Sequence, residues 1–286
     1  MAVEDDWPPD LCKTNEVVKK GLLIDLDGVI YQSDRIIDGA LQALEWIRRQ
    51  QIPHLFITNT TSRSRAALLE KFEHFGFAAE LDELMTPIVA ARQYLEHQRF
   101  GKIAAFVTES AACEFSGLEM VSPQSGQAVD VVVIGDLGES WDYQTLNSAF
   151  RLLMQDPAPQ LIALGMTRYW RGADGLLLDV APFVSALENA AACEALVFGK
   201  PAAAFFAAAL ECLQCSEDEV FMIGDDIAGD TDAAQRCGIR AIQVKTGKFR
   251  EADLQGDIKP FAVLESIADL PQWWAANIDD SAGAPG

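Results

Sequence analysis

The sequence predicts an α/β fold: a Rossmann-like, doubly wound parallel sheet core with an inserted α/β cap domain. Short apolar segments alternate with amphipathic helical segments over residues 21–74, and the same alternation returns over residues 195–244. The residues between them alternate in their own right, in a stretch too long and too regular to be a loop. Such alternation is typical of parallel strands joined by right-handed crossovers.

The first elements follow one another closely. Residues 21–26 (GLLIDL) are apolar on both faces and end in acid, which is typical of a buried parallel strand with function at its carboxyl end. Apolar residues at helical spacing predict a helix over residues 39–50. A second strand over residues 52–58 then leads through a polar loop into a helix that ends near residue 74.

The later segments define the domains that we expect. In the middle of the chain, the pattern predicts helices at 86–99 and 143–154 and strands at 103–107, 129–134 and 160–164. Towards the end, it predicts strands at 195–198, 219–224 and 239–244 and helices at 202–213 and 231–237. We therefore expect a discontinuous core (18–83 and 184–270), an inserted cap domain (84–183) and a flexible tail (271–286).

The composition narrows the set of partners. With 22 Lys and Arg against 43 Asp and Glu, the formal net charge is −21, so neither nucleic acid nor an anionic membrane is an expected partner. A small phosphate compound would meet the same repulsive field, so its site needs a local cation. The N-terminus lacks a signal-peptide layout, and no apolar run approaches the roughly 18 residues that span a bilayer. A cytoplasmic protein is expected.

Reduced thiols are the expected state of the six cysteines, because the chain is long and shows no export signal. Cys212 and Cys215 form one CxxC, but no second pair or histidine follows at metal spacing. Two thiols on a helix are therefore favoured over a zinc or redox site.

Paired carboxylates follow the first predicted strand. Asp25 and Asp27 are two residues apart, so in extended backbone both side chains point the same way. Two carboxylates this close are costly unless a cation neutralises them, and Gly28 permits the sharp turn needed there. Taken alone, the pattern also fits a turn with incidental acids.

Two further signals follow other strands. Thr58 and Asn59 come after the second strand, where a hydroxyl and free backbone amides make a small anion cradle, although Thr-Asn is also common in turns. Lys200 lies in Gly199-Lys200-Pro201 after an apolar strand, and by itself it is also compatible with a solvated lysine. The chain lacks both the nucleotide P-loop and the dinucleotide-binding glycine pattern.

The fourth signal is acidic. Asp225, Asp226 and Asp230 come directly after the apolar strand EVFMI, a pattern that a solvated acidic loop also shows. In a doubly wound sheet, however, the carboxyl ends of the strands meet along one edge, where ligands bind. All four signals should therefore converge, and oxygen ligands without His or Cys favour Mg²⁺.

In this order the four motifs resemble those of the haloacid dehalogenase-like superfamily, and the large insertion resembles the cap of its NagD-like subfamily. The resemblance covers about residues 21–270. It implies a phosphatase that acts on small phosphorylated metabolites through a phospho-aspartate intermediate. Asp25 would be the nucleophile and Asp27 the general acid/base, and Mg²⁺ would be held by Asp25, the backbone carbonyl of Asp27, and Asp225.

The resemblance also assigns the remaining motif residues. Thr58, Asn59 and Lys200 would hold the phosphoryl oxygens. Asp230 would orient Lys200 or a metal-bound water, and Asp226 would be a neighbour of the metal site. A homodimer formed through the cap is a further implication.

Alternatives stay open at this stage. Two members of the family typically carry serine at the position of Asp27, so the aspartate favours phosphate monoesters over phosphoamide or pyrophosphate substrates such as phospholysine and phosphohistidine. A receiver-like phospho-aspartate signalling module also clusters acids around a lysine, but it needs no large insertion.

One segment of the predicted cap is basic and aromatic in a very acidic chain. Arg168 and Arg171 flank Tyr169 and Trp170, which predicts a strip that faces the substrate. A solvated loop that packs only its aromatic side chains fits the same pattern.

Overall fold

The computed structural model describes residues 20–172 and 175–279. Its strands are β1 (Gly21–Asp25), β2 (Tyr31–Gln32), β3 (Arg35–Ile36), β4 (His54–Ile57), β5 (Leu84–Met85), β6 (Ile103–Phe106), β7 (Val131–Ile134), β8 (Gln160–Ala163), β9 (Tyr169–Gly172), β10 (Gly175–Leu178), β11 (Leu196–Val197), β12 (Val220–Gly224), β13 (Arg240–Val244) and β14 (Ala262–Leu264). Its helices are α1 (Ala40–Arg49), α2 (Arg65–His74), α3 (Pro87–Gln98), α4 (Glu109–Ala112), α5 (Tyr143–Leu153), α6 (Ala181–Ala191), α7 (Ala203–Leu213), α8 (Ala233–Arg236) and α9 (Leu270–Trp274).

The larger sheet has six strands in the order β14-β13-β12-β1-β4-β5, and every neighbouring pair is parallel. Strand β1 lies near the centre, where Leu23 aligns with Met222 of β12 and with Leu55 of β4. All five residues of β1 are buried, because helices cover both faces of such a sheet. The predicted Rossmann-like, doubly wound fold is confirmed.

A second sheet of four parallel strands has the order β11-β8-β7-β6. The prediction that residues 195–198 belong to the core sheet was wrong, because Leu196 aligns with Ile162 of β8 in this second sheet. Conversely, β5 lies past the predicted cap boundary at residue 84, yet it pairs with β4 in the larger sheet. Strands of two residues carry too little pattern to reveal their sheet. The domain boundaries themselves stay a prediction.

Local capping explains where several helices begin. The side-chain oxygens of Ser64, Thr86 and Asp142 each accept a hydrogen bond from the backbone N–H three residues further on, at the start of α2, α3 and α5. Proline follows Thr86 at the first position of α3, where its missing N–H costs nothing. The predicted helices at 39–50, 86–99, 143–154 and 202–213 are confirmed within two residues at each end.

The segment at 271–279 is ordered, so the predicted flexible tail is wrong there. Trp274 is buried, and the rings of Trp273 and Trp274 both contact the ring of Phe221 of β12. Two tryptophans that cover the sheet bury too much apolar surface to remain mobile.

Two antiparallel hairpins were not predicted. Strands β2 and β3 form one at residues 31–36, and β9 and β10 form the other from residues 169–172 and 175–178. Within the described residues, no helix is long and apolar enough to span a bilayer.

Candidate active site

A cavity of about 460 Å³ opens between the carboxyl edge of the larger sheet and a second layer, which consists of the second sheet, its loops and the β9–β10 hairpin. The larger sheet and its loops contribute Asp25, Asp27, Tyr31, Thr58, Asn59, Thr60, Thr61, Ser62, Arg63, Leu68, Lys71, Asp226, Gly229, Asp230 and Lys248. Lys200, which follows β11 of the second sheet, also lines the cavity. The second layer contributes Asp136, Thr167, Trp170 and Asp179. The topology thus brings most of the predicted site residues to one cavity.

Lys200 lies between two buried carboxylates. Its Nζ donates to Oδ1 of Asp25 at 2.6 Å and to Oδ1 of Asp230 at 2.7 Å. Asp25 is the last residue of β1, and Asp230 lies in a helical turn (Ile227–Asp232) after β12. All three side chains are almost fully buried, so water screens the attraction between Lys200 and the two carboxylates only weakly.

Burial perturbs the proton affinities of this group. Burial raises the pKa of Asp25 to about 7. The attraction of Lys200 offsets only part of this increase, and the negative charges of Asp230 and Asp225 add to it. Burial alone would lower the pKa of Lys200, but the charges of Asp230 and Asp25 outweigh that effect and raise it above its ordinary value. Lys200 therefore stays cationic at neutral pH.

Asp225 is fixed from several sides. Its Oδ2 accepts the backbone N–H of Lys248 at 2.6 Å, and its backbone carbonyl accepts from Nε2 of Gln243 at 2.7 Å. Gly28 and Gly247 press against the carboxylate, since a Cβ on either glycine would lie 2.0 Å from Oδ2. Both glycines have positive φ, so neither position tolerates a larger residue.

The other oxygen of Asp225 has no partner. Oδ1 is buried without a hydrogen bond among the described residues, and burial raises the pKa of Asp225 to about 6. A buried carboxylate oxygen is costly to leave unpaired, so this oxygen is suited to bind a cation.

The surroundings of that oxygen suit a divalent cation. One carboxylate oxygen each from Asp25, Asp225 and Asp230 lie within 4.8 Å of one another, and all three residues are buried. The donors are oxygens only, which hard cations prefer. The residues therefore fit a divalent metal ion.

The side chain of Asp226 stabilises the helical turn after β12. Its Oδ1 accepts from the N–H groups of Ala228 and Gly229, at 3.1 and 2.9 Å, and so caps the helical turn that carries Asp230. Its Oδ2 accepts from Nζ of Lys248 at 3.2 Å. Burial would raise the pKa of Asp226, but these bonds outweigh it and lower the pKa below its ordinary value.

Asp27 is the exposed carboxylate of the first motif. It lines the cavity, and among the described residues its Oδ1 accepts a long hydrogen bond of 3.4 Å from the N–H of Ser33 in the β2–β3 hairpin. Unlike Asp25, it is exposed to solvent.

The loop after β4 differs from the anion cradle that the sequence predicts. The N–H of Thr58 donates to the carbonyl of Met85, and the N–H of Thr60 donates to Oγ1 of Thr58, so neither amide is free. Asn59 clamps the backbone of Lys200: its Nδ2 donates to the Lys200 carbonyl at 2.8 Å, and its Oδ1 accepts the Lys200 N–H at 2.7 Å. Asn59 thus positions the lysine, and its predicted contact with phosphate stays a prediction.

The predicted basic strip lies on the β9–β10 hairpin. Arg168 precedes β9 and is exposed, and it does not line the cavity, whereas Thr167 and Trp170 do. The backbone of Arg171 lies in β9, but its side chain is outside the described residues. The neutral neighbours of Arg168, rather than its guanidinium, face the cavity.

Several residues of the site were missed in the sequence. Gln243 lies inside β13, and its buried Oε1 accepts from Oγ1 of Thr231 while its Nε2 holds Asp225. A lone glutamine in an otherwise apolar strand was a usable signal for a buried polar network. Lys248 and the second-layer acids Asp136 and Asp179 gave no such signal, because each lies in a loop of ordinary composition.

Two family profiles match the chain. The profile described as a haloacid dehalogenase-like hydrolase matches residues 22–119, and the one described as HAD-hydrolase-like matches residues 197–270. Their matches contain the motif of Asp25 and Asp27 and the acidic motif of Asp225 to Asp230, which the fold brings together.

Two curated relatives are similar over most of their length. Phospholysine phosphohistidine inorganic pyrophosphate phosphatase of Homo sapiens is 39% identical over 255 residues, which are 87% of this chain and 92% of the relative. Haloacid dehalogenase-like hydrolase domain-containing protein 2 of Mus musculus is 41% identical over 249 residues, 87% of this chain and 93% of the relative.

Solved structures share the fold. p-Nitrophenyl phosphatase from Archaeoglobus fulgidus superposes with a TM-score of 0.80 at 24% identity, over 89% of this chain and 99% of that chain. NagD from E. coli K-12 superposes with a TM-score of 0.78 at 21% identity, over 87% and 97% of the two chains. The resemblance inferred from the four motifs is confirmed, and the chain belongs to the haloacid dehalogenase-like hydrolase family.

Proposed function

We propose that this hydrolase is a Mg²⁺-dependent phosphatase that cleaves small phosphorylated metabolites through a phosphorylated Asp25. The observation that carries the proposal is the buried carboxylate of Asp225, whose Oδ1 has no partner among the described residues and which offers an oxygen within 4.8 Å of oxygens of Asp25 and Asp230. Such a group needs a cation, and a cation there would also offset the repulsion between an anionic nucleophile and an anionic substrate.

The metal would be held by Asp25, Asp225 and the backbone carbonyl of Asp27, with Asp230 beside them. When bound, Mg²⁺ supplies positive charge to the phosphoryl oxygens and to the nucleophile. The ion pair of Lys200 with Asp25 and Asp230 fixes a second positive charge at the same place. Phosphoryl transfer depends mainly on such positioning and electrostatics.

In the first step, a carboxylate oxygen of Asp25 attacks phosphorus and the bond from phosphorus to the leaving group breaks. Asp27 gives its proton to the departing atom. In the second step, Asp27 takes a proton from water, the water oxygen bonds to phosphorus, and the bond to Asp25 breaks to release phosphate. The exposure of Asp27 suits this proton exchange, whereas the burial of Asp25 suits a nucleophile shielded from water.

The test is Asp25→Asn, assayed by phosphate release from p-nitrophenyl phosphate with and without Mg²⁺. We expect a loss of more than about 10³-fold, because the amide cannot form the intermediate. The matched control is Asp257→Asn, which removes one exposed carboxylate outside the cavity and should leave the rate unchanged. Retained activity in Asp25→Asn, or full activity of the wild type without any divalent ion, would refute the mechanism.

A second candidate activity is hydrolysis of phosphoamides or pyrophosphate, which is favoured by the similarity to the human phospholysine phosphohistidine inorganic pyrophosphate phosphatase. Leaving groups of these kinds need less proton donation than an alkoxide, so an exposed Asp27 argues for monoesters. Comparing phosphate monoesters with phospholysine, phosphohistidine and pyrophosphate separates the two. A signalling module without turnover is disfavoured, because the family is a family of hydrolases.

The homodimer and the compartment remain proposals as well. The β9–β10 hairpin exposes Leu176, Leu177 and Leu178, an apolar surface that a second copy would cover. A reducing, cytoplasmic location is supported by the free thiols of the five described cysteines. Sedimentation of the purified protein tests the dimer, and localisation of the tagged full chain tests the compartment.

A further inference from the structure

The wall of the cavity opposite the larger sheet carries two carboxylates that the mechanism does not use. Asp136 comes shortly after β7, and Asp179 comes directly after β10. Both line the cavity and are half-buried. They therefore face the side of the substrate that points away from the phosphoryl group.

Both carboxylates are held by backbone amides. Oδ1 of Asp136 accepts from the N–H of Gly138 at 2.8 Å, and Oδ1 of Asp179 accepts from the N–H of Val180 at 2.7 Å. In the part of the chain that the structure describes, neither forms an ion pair with a Lys or Arg within 4.0 Å. Each orientation is thus fixed, and no described cation neutralises the second oxygen of either group.

The two negative charges interact with each other. Burial raises the pKa of Asp179, and the charge of Asp136 raises it further, although the bond from Val180 opposes both effects. Two partly desolvated like charges destabilise the wall that carries them, so a cationic partner would relieve that cost. An anionic leaving group would instead be repelled.

The cavity is a ligand site on grounds that do not involve this pair. The buried, unpartnered Oδ1 of Asp225 lies with the carboxylates of Asp25 and Asp230, which line the floor of the cavity. A phosphoryl group bound at that floor would leave its leaving group facing the opposite wall. Trp170 lines the same wall, and an aromatic face also favours alkylammonium groups.

We propose that Asp136 and Asp179 bind a protonated amine on the leaving group, so that the substrate is the phosphate monoester of an amino alcohol or of a hydroxy amino acid. This inference rests on the proposed phosphatase function. It makes the two carboxylates specificity-determining residues and leaves the chemical steps on Asp25 and Asp27 unchanged.

The experiment uses two pairs of substrates that differ only by an amine in place of a hydroxyl. One pair is phosphoethanolamine and 2-hydroxyethyl phosphate; the other is O-phosphoserine and 3-phosphoglycerate. We expect the full-length wild type to prefer the amine in both pairs, as measured by the ratio of kcat/KM values. Asp136→Asn and Asp179→Asn should each lower that ratio about tenfold or more, since hydrogen bonds to charged groups contribute about 1.5–3 kcal/mol.

Glu139→Gln is the matched control, because Glu139 is exposed, lies three residues from Asp136 and does not line the cavity. Its ratio should equal that of the wild type. The inference is overturned if the wild type does not prefer the amine, if the ratio survives both substitutions, or if Glu139→Gln lowers it equally. Hydrolysis of p-nitrophenyl phosphate by the wild type distinguishes this failure from a failure of the proposed function, which would abolish phosphate release altogether.

Discussion

The four carboxylates of the site differ in whether they contact Lys200. Lys200 binds Asp25 and Asp230 directly, whereas Oδ1 of Asp225 has no partner in the described residues and Asp27 is exposed. The burial of Asp25 and the exposure of Asp27 are the difference in environment that the proposed division between nucleophile and proton donor requires.

The first prediction concerns Asp27. If its side chain donates a proton to the leaving group, Asp27→Asn should slow poor leaving groups far more than good ones. We expect a loss of about 10²–10⁴-fold for alkyl phosphates and less than about tenfold for p-nitrophenyl phosphate, whose departure needs little help. The measurement is kcat/KM over a series of phosphate monoesters graded by leaving-group pKa.

Asp38→Asn is the control for this series. Asp38 lies in the same stretch of chain, is exposed, and does not line the cavity. The control should behave as the wild type throughout. An equal loss for good and poor leaving groups in Asp27→Asn would contradict the acid role and indicate a purely electrostatic one.

The second prediction concerns metal affinity and pH. Without metal, burial raises the pKa of Asp25 to about 7 and that of Asp225 to about 6. Metal binds the ionised carboxylates, so it must displace any proton held there. Affinity for Mg²⁺ should therefore be constant above pH 7, fall about tenfold per unit between pH 7 and 6, and fall more steeply below pH 6.

Isothermal titration calorimetry in two buffers of different ionisation enthalpy checks this prediction, because it also counts the protons released. The number of protons released on Mg²⁺ binding should approach zero at pH 8 and increase towards pH 6. An affinity that does not change between pH 5.5 and 8 would show that the carboxylates are already ionised in the metal-free protein.

At the scale of elements, the site is predictable where it depends on strand ends. Asp25, Thr58 and Asp225 each follow a strand of the larger sheet, and β12, β1 and β4 are adjacent in it. Apolar strands of four or five residues are readable in the sequence, and parallel pairing then fixes where their carboxyl ends meet. Convergence of these three motifs needed no information beyond this, whereas Lys200 follows β11 of the second sheet, so its position depends on how the two sheets pack.

Contacts made by loops and very short strands were not predictable. The sheet that receives Leu196–Val197 depends on tertiary packing, and two residues carry no usable periodicity. Likewise, Asn59 resembles a phosphate ligand in the sequence, but its amide complements the backbone of a lysine 141 positions away. Hydrogen-bonding partners at such separations are decided by the whole fold.

A buried ion pair joins α2 to the segment after α4, and it gives a prediction at this scale. The carboxylate of Glu114 accepts from the N–H of Arg65 at 2.8 Å and from Nε and Nη2 of the same residue at 3.0 Å each. Glu114→Ala leaves the Arg65 amide and the Nε and Nη2 groups of its guanidinium without this acceptor, and the bond from its Nη1 to the carbonyl of Leu81 remains. We expect the free energy of unfolding to fall by about 2–4 kcal/mol.

Urea denaturation measures this change, and Glu96→Ala is the control. Glu96 forms an exposed ion pair with Arg92 one helical turn away, so its loss should cost only about 0.3–0.5 kcal/mol. Both substitutions remove one negative charge from an acidic protein, so the change in overall repulsion is matched. Equal losses would mean that the pair with Arg65 contributes no more than a surface pair.

At the scale of the whole molecule, the two sheets share one apolar core. Leu23 and Ile57 of the larger sheet belong to the same buried cluster as Val131 and Ile162 of the second sheet. The second layer is therefore packed against the first through buried surface, which holds Asp136 and Trp170 over the cavity. The carboxylates to which we assign specificity and those to which we assign chemistry thus belong to different layers of one packed structure.

The overall charge gives the last prediction. At a formal charge of −21, the protein repels a dianionic substrate before local cations act on it. Salt shortens the range of that repulsion, with a Debye length of about 30 Å at 0.01 M and about 8 Å at 0.15 M. At saturating Mg²⁺, kcat/KM for p-nitrophenyl phosphate should therefore rise about two- to fivefold between 10 and 150 mM KCl. Phosphoethanolamine, whose ammonium group lowers its net charge, should respond less.

A decrease of kcat/KM with salt for the dianion would show that Arg63, Lys71 and the metal control its approach more than the overall charge of the protein does. Arg63 and Lys71 line the cavity, and salt would screen their attraction for the substrate in the same way.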